Sequence, residues 1–234
     1  MTHTIAFLYD QDESRFLEPV SYLLLSALAK RAGFHTVFLD DHSTPKLQRA
    51  LASLSPFAVC ASAYTGGEHR IAELMRAVKE ATPHAACIVG GSHPTFHPAY
   101  LENAPAIDIL LRGEADDVWP LLLQRLATRT SYADLPNLSF RVDGKCVHTP
   151  LASLKTDLDD LPYLDRDVSP VIRDKPLKCF VTNRGCMFRC TYCFEESLAK
   201  LVEGKGPFFR RQSIPRIIAE VAHVKAHYPL QFVM

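Results

Sequence analysis

Five short apolar runs separated by segments of helical period constrain this chain more than any other feature. The runs are Ile5 to Tyr9, Thr36 to Leu39, Phe57 to Ala61, Ala86 to Val89 and Ile107 to Leu111. Each is nearly continuous in Val, Ile, Leu, Phe or Ala, as strands covered on both faces must be, whereas a half-exposed strand would alternate. Between them lie helix candidates: Glu18 to Arg31, closed by Gly33; Lys46 to Leu54; Glu68 to Glu80; a short segment near Ala99 to Asn103; and Asp116 to Ala127. Strand–helix–strand units wind right-handed, so the pattern predicts an α/β fold with an open, doubly wound parallel sheet over residues 1–135.

Beyond the sheet, Asn137 to His148 reads as a small hairpin, because Asp143-Gly144 is a favoured two-residue turn between Leu138 to Val142 and Lys145 to Val147. It is placed to cap the sheet domain. Leu151 to Pro176 is irregular and rich in Asp and Pro, so residues 136–176 are read as hairpin and linker. Residues 177–234 then give a strand, Cys179 to Thr182, a cysteine-rich loop, a helix, Pro215 to His227, and an apolar run, Leu230 to Met234. A unit of that size buries too little surface to be robust alone, which predicts a fragment of a longer domain or one that a partner completes.

The 26 basic and 26 acidic residues cancel, so nothing draws the chain over long range to nucleic acid or to an anionic membrane. Met1 to Glu13 lacks the pattern of a secretory signal, and the apolar stretch Leu23 to Ala29 meets Lys30 and Arg31 far short of a membrane span. The expectation is a cytoplasmic protein with neither a membrane nor a nucleic-acid partner.

Three of the seven cysteines, Cys186, Cys190 and Cys193, fall within eight consecutive positions. That clustering suits a metal site in a reducing compartment better than a disulfide framework. Cys60 and Cys87 lie in apolar runs and read as buried thiols. Three ligands is an informative count: a cube of four irons held by three thiolates keeps one iron open, whereas structural zinc wants a fourth ligand. No Cys or His follows at suitable spacing before His223, and only Cys179 stands as an alternative fourth ligand.

The loop Asn183-Arg-Gly-Cys186-Met-Phe-Arg-Cys190-Thr-Tyr-Cys193 closely resembles the motif of the radical S-adenosylmethionine (SAM) superfamily, down to the aromatic Tyr192 before the last cysteine. The resemblance implies that Cys186, Cys190 and Cys193 ligate a 4Fe-4S cluster. Its open iron would chelate SAM, which an electron then cleaves to a 5'-deoxyadenosyl radical. Phe188 and Tyr192 would lie close to the cluster or the adenine, or else simply pack the loop. It also implies an electron donor such as flavodoxin or ferredoxin, and residues 177–234 as the beginning of a radical SAM (β/α) partial barrel. Further SAM contacts in that family begin just after the second barrel strand, where this sequence stops.

Two glycine-bearing loops follow predicted strands: Ser62-Ala-Tyr-Thr-Gly-Gly67 and Gly90-Gly-Ser-His-Pro-Thr95. Paired glycines let backbone approach a ligand closely, though glycines after strands are also ordinary turns. With Arg112-Gly113-Glu114 after the fifth strand, they resemble the Rossmann-like cobalamin-binding domain that precedes the barrel in B12-dependent radical SAM proteins. By that likeness Ser62, Tyr64, Gly90, Gly91 and His93 would line the cobalamin pocket. Arg112 and Glu114 would either pair with each other to hold their loop or touch the ligand. Cobalamin domains with a protein ligand to cobalt carry D-x-H-x-x-G after the first strand. Here that loop reads Asp10-Gln-Asp-Glu-Ser-Arg15. His42, in Asp40-Asp-His42, follows the second strand instead and reads as a surface residue. The resemblance therefore implies base-off cobalamin with no protein histidine below the metal.

The implied activity is radical methylation or a related cyclisation or rearrangement of a small-molecule or peptide substrate. No side chain is assigned as an acid, base or nucleophile. The alternative from another class is a cofactor-binding or regulatory module whose first domain need not bind cobalamin. A methylthiotransferase would need three more cysteines in its first domain, which Cys60 and Cys87 do not supply. No P-loop occurs; Gly204-Lys-Gly206 reads as a turn. His223 and His227 share a helix face without the glutamate of a zinc protease motif and read as solvent-exposed, and Arg210-Arg211 reads as a solvated turn.

Overall fold

The computed structural model describes residues 3–9, 17–40 and 44–234. Five parallel strands occupy the apolar runs: β1 (Thr4–Leu8), β2 (His35–Leu39), β3 (Ala58–Ser62), β4 (Ala86–Gly90) and β5 (Ile109–Leu111). They alternate with α1 (Val20–Arg31), α2 (Thr44–Leu54), α3 (Glu68–Ala81), α4 (Ser92–Phe96) and α5 (Val118–Thr128). The antiparallel hairpin of β6 (Leu138–Val142) and β7 (Lys145–His148) completes a seven-stranded sheet in the order β2-β1-β3-β4-β5-β6-β7. The hairpin is thus a structural part of the sheet: Leu138 and Phe140 are buried opposite Leu111 and Ile109. Asp143 and Gly144 both have positive φ, 49° and 76°, as a tight hairpin turn demands.

Because side chains alternate across a strand, each run feeds two cores. Ile5 and Phe7 pack with Leu23 and Leu28 of α1 and Trp119, Leu122 and Leu123 of α5. Ala6 and Leu8 pack on the opposite face with Leu47 and Leu51 of α2 and Met75 and Val78 of α3. Burying each such large side chain contributes on the order of 2 kcal/mol, enough to explain why the runs tolerate almost no polar residue.

The second unit holds α6 (Pro170–Arg173), β8 (Leu177–Lys178), β9 (Asn183–Arg184), α7 (Phe194–Leu201), β10 (Arg210–Arg211), α8 (Ile214–His227) and β11 (Phe232–Val233). β8 and β11 pair in parallel across α8, while β9 pairs antiparallel with β10. The strand expected over Cys179 to Thr182 is displaced to its two flanks. Its physical reason lies in Cys179, whose amide donates to the Glu18 carboxylate (2.9 Å) and whose carbonyl accepts from Arg166 (2.7 Å), leaving neither group for a ladder. α8 starts as its sequence asks, with the Ser213 hydroxyl accepting from the Arg216 amide and Pro215 in the first turn.

Candidate functional site

In an open parallel sheet the ligand crevice lies beyond the carboxyl ends of the strands, where strand order reverses. Here the chain steps from β1 out to β2 and then back past β1 to β3. The Tyr22 hydroxyl of α1 ties those carboxyl ends together, donating to the Leu8 carbonyl (3.1 Å) and accepting from the Ser62 amide (2.6 Å). A cavity of about 730 Å³ opens at this end. Leu24 and Leu25 of α1, Leu111 of β5 and Trp119 of α5 give it an apolar lining, and Ser62, Gly90, Gly91 and Gly113 contribute backbone-rich loops. The wall opposite is built by the linker, through Leu158, Leu161 and Leu164, and by Arg184, Phe194 and Glu195 of the second unit.

Gly91 shows why a glycine stands in that wall. Its φ is 103°, and an added Cβ would sit 2.5 Å from the Ser62 hydroxyl and 2.6 Å from the Ala63 carbonyl. The loops after β3 and β4 touch only because no side chain intervenes. Thr95 stitches the next pair, donating to the Gly91 carbonyl (2.8 Å) and accepting from the Gly113 amide (2.9 Å).

Of the five pocket residues singled out from sequence, Ser62, Gly90 and Gly91 line this cavity, whereas Tyr64 and His93 are not among its walls. The Tyr64 ring lies against Gly67. His93 is the second residue of the short helix α4, where the sequence suggests a loop; its Nδ1 lies 3.1 Å from the Thr65 hydroxyl and its ring packs edge-on to Tyr100. Burial holds the His93 imidazole below its usual pKa, against the opposing pull of Glu68. The Asp10 to Arg15 loop and His42 lie outside the described residues.

Cys186, Cys190 and Cys193 are half-buried free thiols on one loop between β9 and α7. The loop is seated by Gly185 (φ 71°), where a Cβ would lie 2.2 Å from the Phe208 carbonyl. The Phe188 amide donates to Cys186 Sγ (3.4 Å), and the Cys193 amide to the Cys190 carbonyl (3.0 Å). A donor set of three thiols with an amide directed at sulfur fits an iron–sulfur cluster in chemistry. Among the described residues, no three His, Cys, Asp or Glu side chains converge on one metal-sized point, so the loop carries its thiols ungathered. Phe188 and Tyr192 are 68% and 90% exposed, so neither packs the loop. Cys60 and Cys87 are buried in the sheet, and burial pushes the Cys87 thiol up to about 12.

Two ion networks join the units, and sequence reading anticipated neither. Glu114 does not pair with Arg112. It forms a two-pronged bridge to Arg210 (2.6 and 2.8 Å) and approaches Arg184 (3.4 Å), which a second two-pronged bridge binds to Asp116. Arg112 instead donates to the carbonyls of Leu138 and Thr149. Arg210, expected in a solvated turn, is buried, while Arg211 beside it is exposed, because alternate residues of β10 face opposite ways. Burial works against the charge of Arg184; the hydrogen bonds and charges of Asp116 and Glu114 outweigh it and raise its pKa. The second network centres on Glu18, whose carboxylate meets Arg166 Nε (3.1 and 3.2 Å), Lys178 Nζ (3.3 Å) and the Cys179 amide. The side chains of Glu18, Arg166 and Lys178 are entirely buried.

The B12 binding domain family matches residues 15–123. An uncharacterized methyltransferase of Pyrococcus horikoshii is 24% identical over 197 residues, covering 82% of this chain and 42% of that protein. The cobalamin-dependent radical SAM methyltransferase TokK of Streptomyces tokunonensis is 28% identical over 160 residues, 64% of this chain and 23% of that one. The solved structure of the radical SAM methyltransferase TsrM from Kitasatospora setae, with cobalamin and a 4Fe-4S cluster bound, shares the fold. Its TM-score is 0.72 at 17% identity, over 97% of this chain and 46% of that one. The chain spans less than half the length of each of these proteins. No described helix is long and apolar enough to cross a membrane.

Proposed function

We propose that this chain, which carries a B12-binding domain and is related to cobalamin-dependent radical SAM methyltransferases, binds cobalamin together with a 4Fe-4S cluster and serves SAM-dependent radical methylation. One observation carries the reading: a single cavity is walled by Ser62, Gly90 and Gly91 from the sheet and by Arg184, Phe194 and Glu195 from both sides of the cysteine loop. Whatever fills it touches both units at once.

The residues divide the work. Cys186, Cys190 and Cys193 would hold the cluster, with Phe188 and Tyr192 beside it or the SAM adenine. Leu24, Leu25, Leu111 and Trp119 offer a water-excluding apolar surface. Gly90 and Gly91 would let backbone approach cobalamin closely. When bound, the cluster supplies the electron that cleaves SAM, and cobalamin carries the methyl group. The protein orients these partners and excludes water. The electron comes from a donor such as flavodoxin or ferredoxin, and the acceptor is a small molecule or peptide; cyclisation or rearrangement is the related outcome in the same class.

The test is anaerobic reconstitution with iron, sulfide and hydroxocobalamin, scoring metal content and absorbance for the wild type and Cys186→Ala. About four irons per chain, lost in the variant, with cobalt retained in a base-off spectrum, is the expected result. Cobalt without iron would reduce the chain to a cobalamin-binding module, and zinc in the cysteine loop would overturn the radical SAM reading.

A further inference from the structure

Gln212 follows β10, and strand alternation turns it to the same side as the buried Arg210, away from the exposed Arg211. That side is a wall of the cavity between the units, which Gln212 lines together with Leu161 of the linker and Glu114 of the sheet domain. The residue is only 8% exposed. Its backbone amide donates to the Thr182 carbonyl (2.9 Å), but its side-chain carboxamide makes no hydrogen bond among the described residues. Among those residues the sealed side-chain atoms without a partner are Arg112 Nε, Arg166 Nη1 and Glu195 Oε2. The Gln212 carboxamide is not one of them, so it keeps surface open to the cavity that Gln212 lines. The charges beside it compensate one another: Arg210 is held by Glu114, and Arg184, its partner across the β9–β10 ladder, by Asp116. Gln212 is therefore an uncharged group that carries N–H donors and a carbonyl acceptor and uses neither inside the protein.

We propose that Gln212 is a ligand-binding residue of this cavity, recognising through its carboxamide a planar, uncharged group that offers an N–H donor and an acceptor side by side. This rests on the reading of the cavity as a cofactor site. Any ligand that fills the cavity strips water from the amide, and a ligand with no hydrogen bond to return leaves it buried and unpaired. An anion gains little here, because the nearby arginines are already bound to carboxylates. Two groups in the proposed reaction have the required chemistry. A carboxamide of the corrin edge pairs with glutamine amide to amide, and the adenine of SAM presents the N–H and ring nitrogen that glutamine reads two-pronged. Since no protein group uses the Gln212 amide, the side chain costs stability rather than adding to it, as binding residues do.

The experiment compares wild type, Gln212→Met and Gln212→Leu as the full, cluster-reconstituted chain under anaerobic conditions. Hydroxocobalamin is titrated by absorbance and SAM by calorimetry, and urea unfolding followed by circular dichroism and Trp119 fluorescence gives the stability of each protein without ligand. Both variants should be as stable as the wild type or more so, because no hydrogen bond within the protein is lost. Both should bind one of the two ligands about tenfold more weakly, a change of about 1.4 kcal/mol, and the other with unchanged affinity. A defect confined to cobalamin assigns the partner to a corrin carboxamide, and one confined to SAM assigns it to the adenine. Unchanged affinity in both variants for every ligand that the wild type binds overturns the assignment and leaves the cofactor reading intact. Lower stability of both variants without ligand, or equal weakening for both ligands, makes Gln212 a structural residue of the wall and overturns it as well. Failure of the wild type to bind either ligand would sink the underlying cofactor reading itself.

Discussion

Glu18→Gln is the most informative single change to this architecture. The substitution keeps the volume of the side chain and removes one negative charge from a pocket that holds two cations, Arg166 and Lys178, with side chains fully out of solvent. In the wild type the carboxylate accepts from Arg166 Nε, Lys178 Nζ and the Cys179 amide, while Glu220 approaches Arg166 Nη1 only at 3.9 Å. Burial already holds the Lys178 ammonium below its usual pKa, with the Glu18 charge opposing that shift. A glutamine can still accept the amide hydrogen bond, so the loss is mainly that of compensation for buried charge, about 3–5 kcal/mol. For a chain of this size that lowers Tm by roughly 10 °C. Trp119 is the only tryptophan, is 1% exposed and donates to the Leu25 carbonyl of α1, so its fluorescence in a urea titration reports the sheet domain onto which Glu18 leads. Adding Lys178→Met should recover part of the loss, since it removes one of the stranded cations. A destabilisation below about 1 kcal/mol, the worth of an exposed pair, would show that water reaches this network and refute the reasoning.

Other changes test the site more directly. Gly91→Ala drives a methyl into the Ser62 hydroxyl and the Ala63 carbonyl at positive φ, and should cost about 2 kcal/mol by urea unfolding and weaken cobalamin uptake; wild-type values for both would remove the close loop contact from the account. Gly185→Ala meets the Phe208 carbonyl and should reduce iron per chain while leaving Trp119 unfolding unchanged. Asp116→Asn weakens the hold on Arg184 and should speed protease cleavage within the 151–176 linker, whereas an unchanged digestion rate would mean that Glu114 alone suffices. His93 sets a pH dependence of definite sign. Its folded pKa lies below the ordinary 6.5, so the unfolded chain takes up the proton first and stability falls as pH drops from 6.5 to the folded value. His93→Gln should flatten that slope in urea titrations between pH 5 and 7.5, and an unaltered slope would assign it elsewhere.

How much of this was legible in the sequence follows from the physics of each part. The apolar runs became β1 to β5 because strands covered on both faces leave a continuous hydrophobic record, and Asp143-Gly144 announced its hairpin through backbone conformations few other pairs adopt. The helix α7 was missed behind the cysteine loop, although Glu195 and Glu196 in its first turn and the Glu196–Lys200 spacing are ordinary helix signals. The ion networks were invisible for another reason. Glu18 and Arg166 are 148 positions apart and Glu114 and Arg210 are 96 apart, and a charged residue in a sequence gives no sign of burial until its partner is known. Tyr64 and His93 sit on the glycine loops yet turn to neighbours of their own, because sequence proximity to a pocket does not fix side-chain direction.

The two networks also explain how a cavity can persist between two units. An apolar seam closes on itself, since its stabilisation grows with every area removed from water and favours no gap. Paired charges act differently: a two-pronged arginine–carboxylate bridge fixes distance and orientation and holds surfaces apart at that spacing. Glu114 and Asp116 grip the strands β9 and β10 beside the cysteine loop, and Glu18, two residues ahead of α1, grips the end of β8. Between these grips lies the apolar lining, where Leu24 and Leu25 are partly exposed over the buried Leu111 and Trp119. Charge at the grips and apolar surface between them together keep a chamber open at the carboxyl end of the sheet, with Arg184 and Phe194, which flank the cysteine loop in sequence, on its far side.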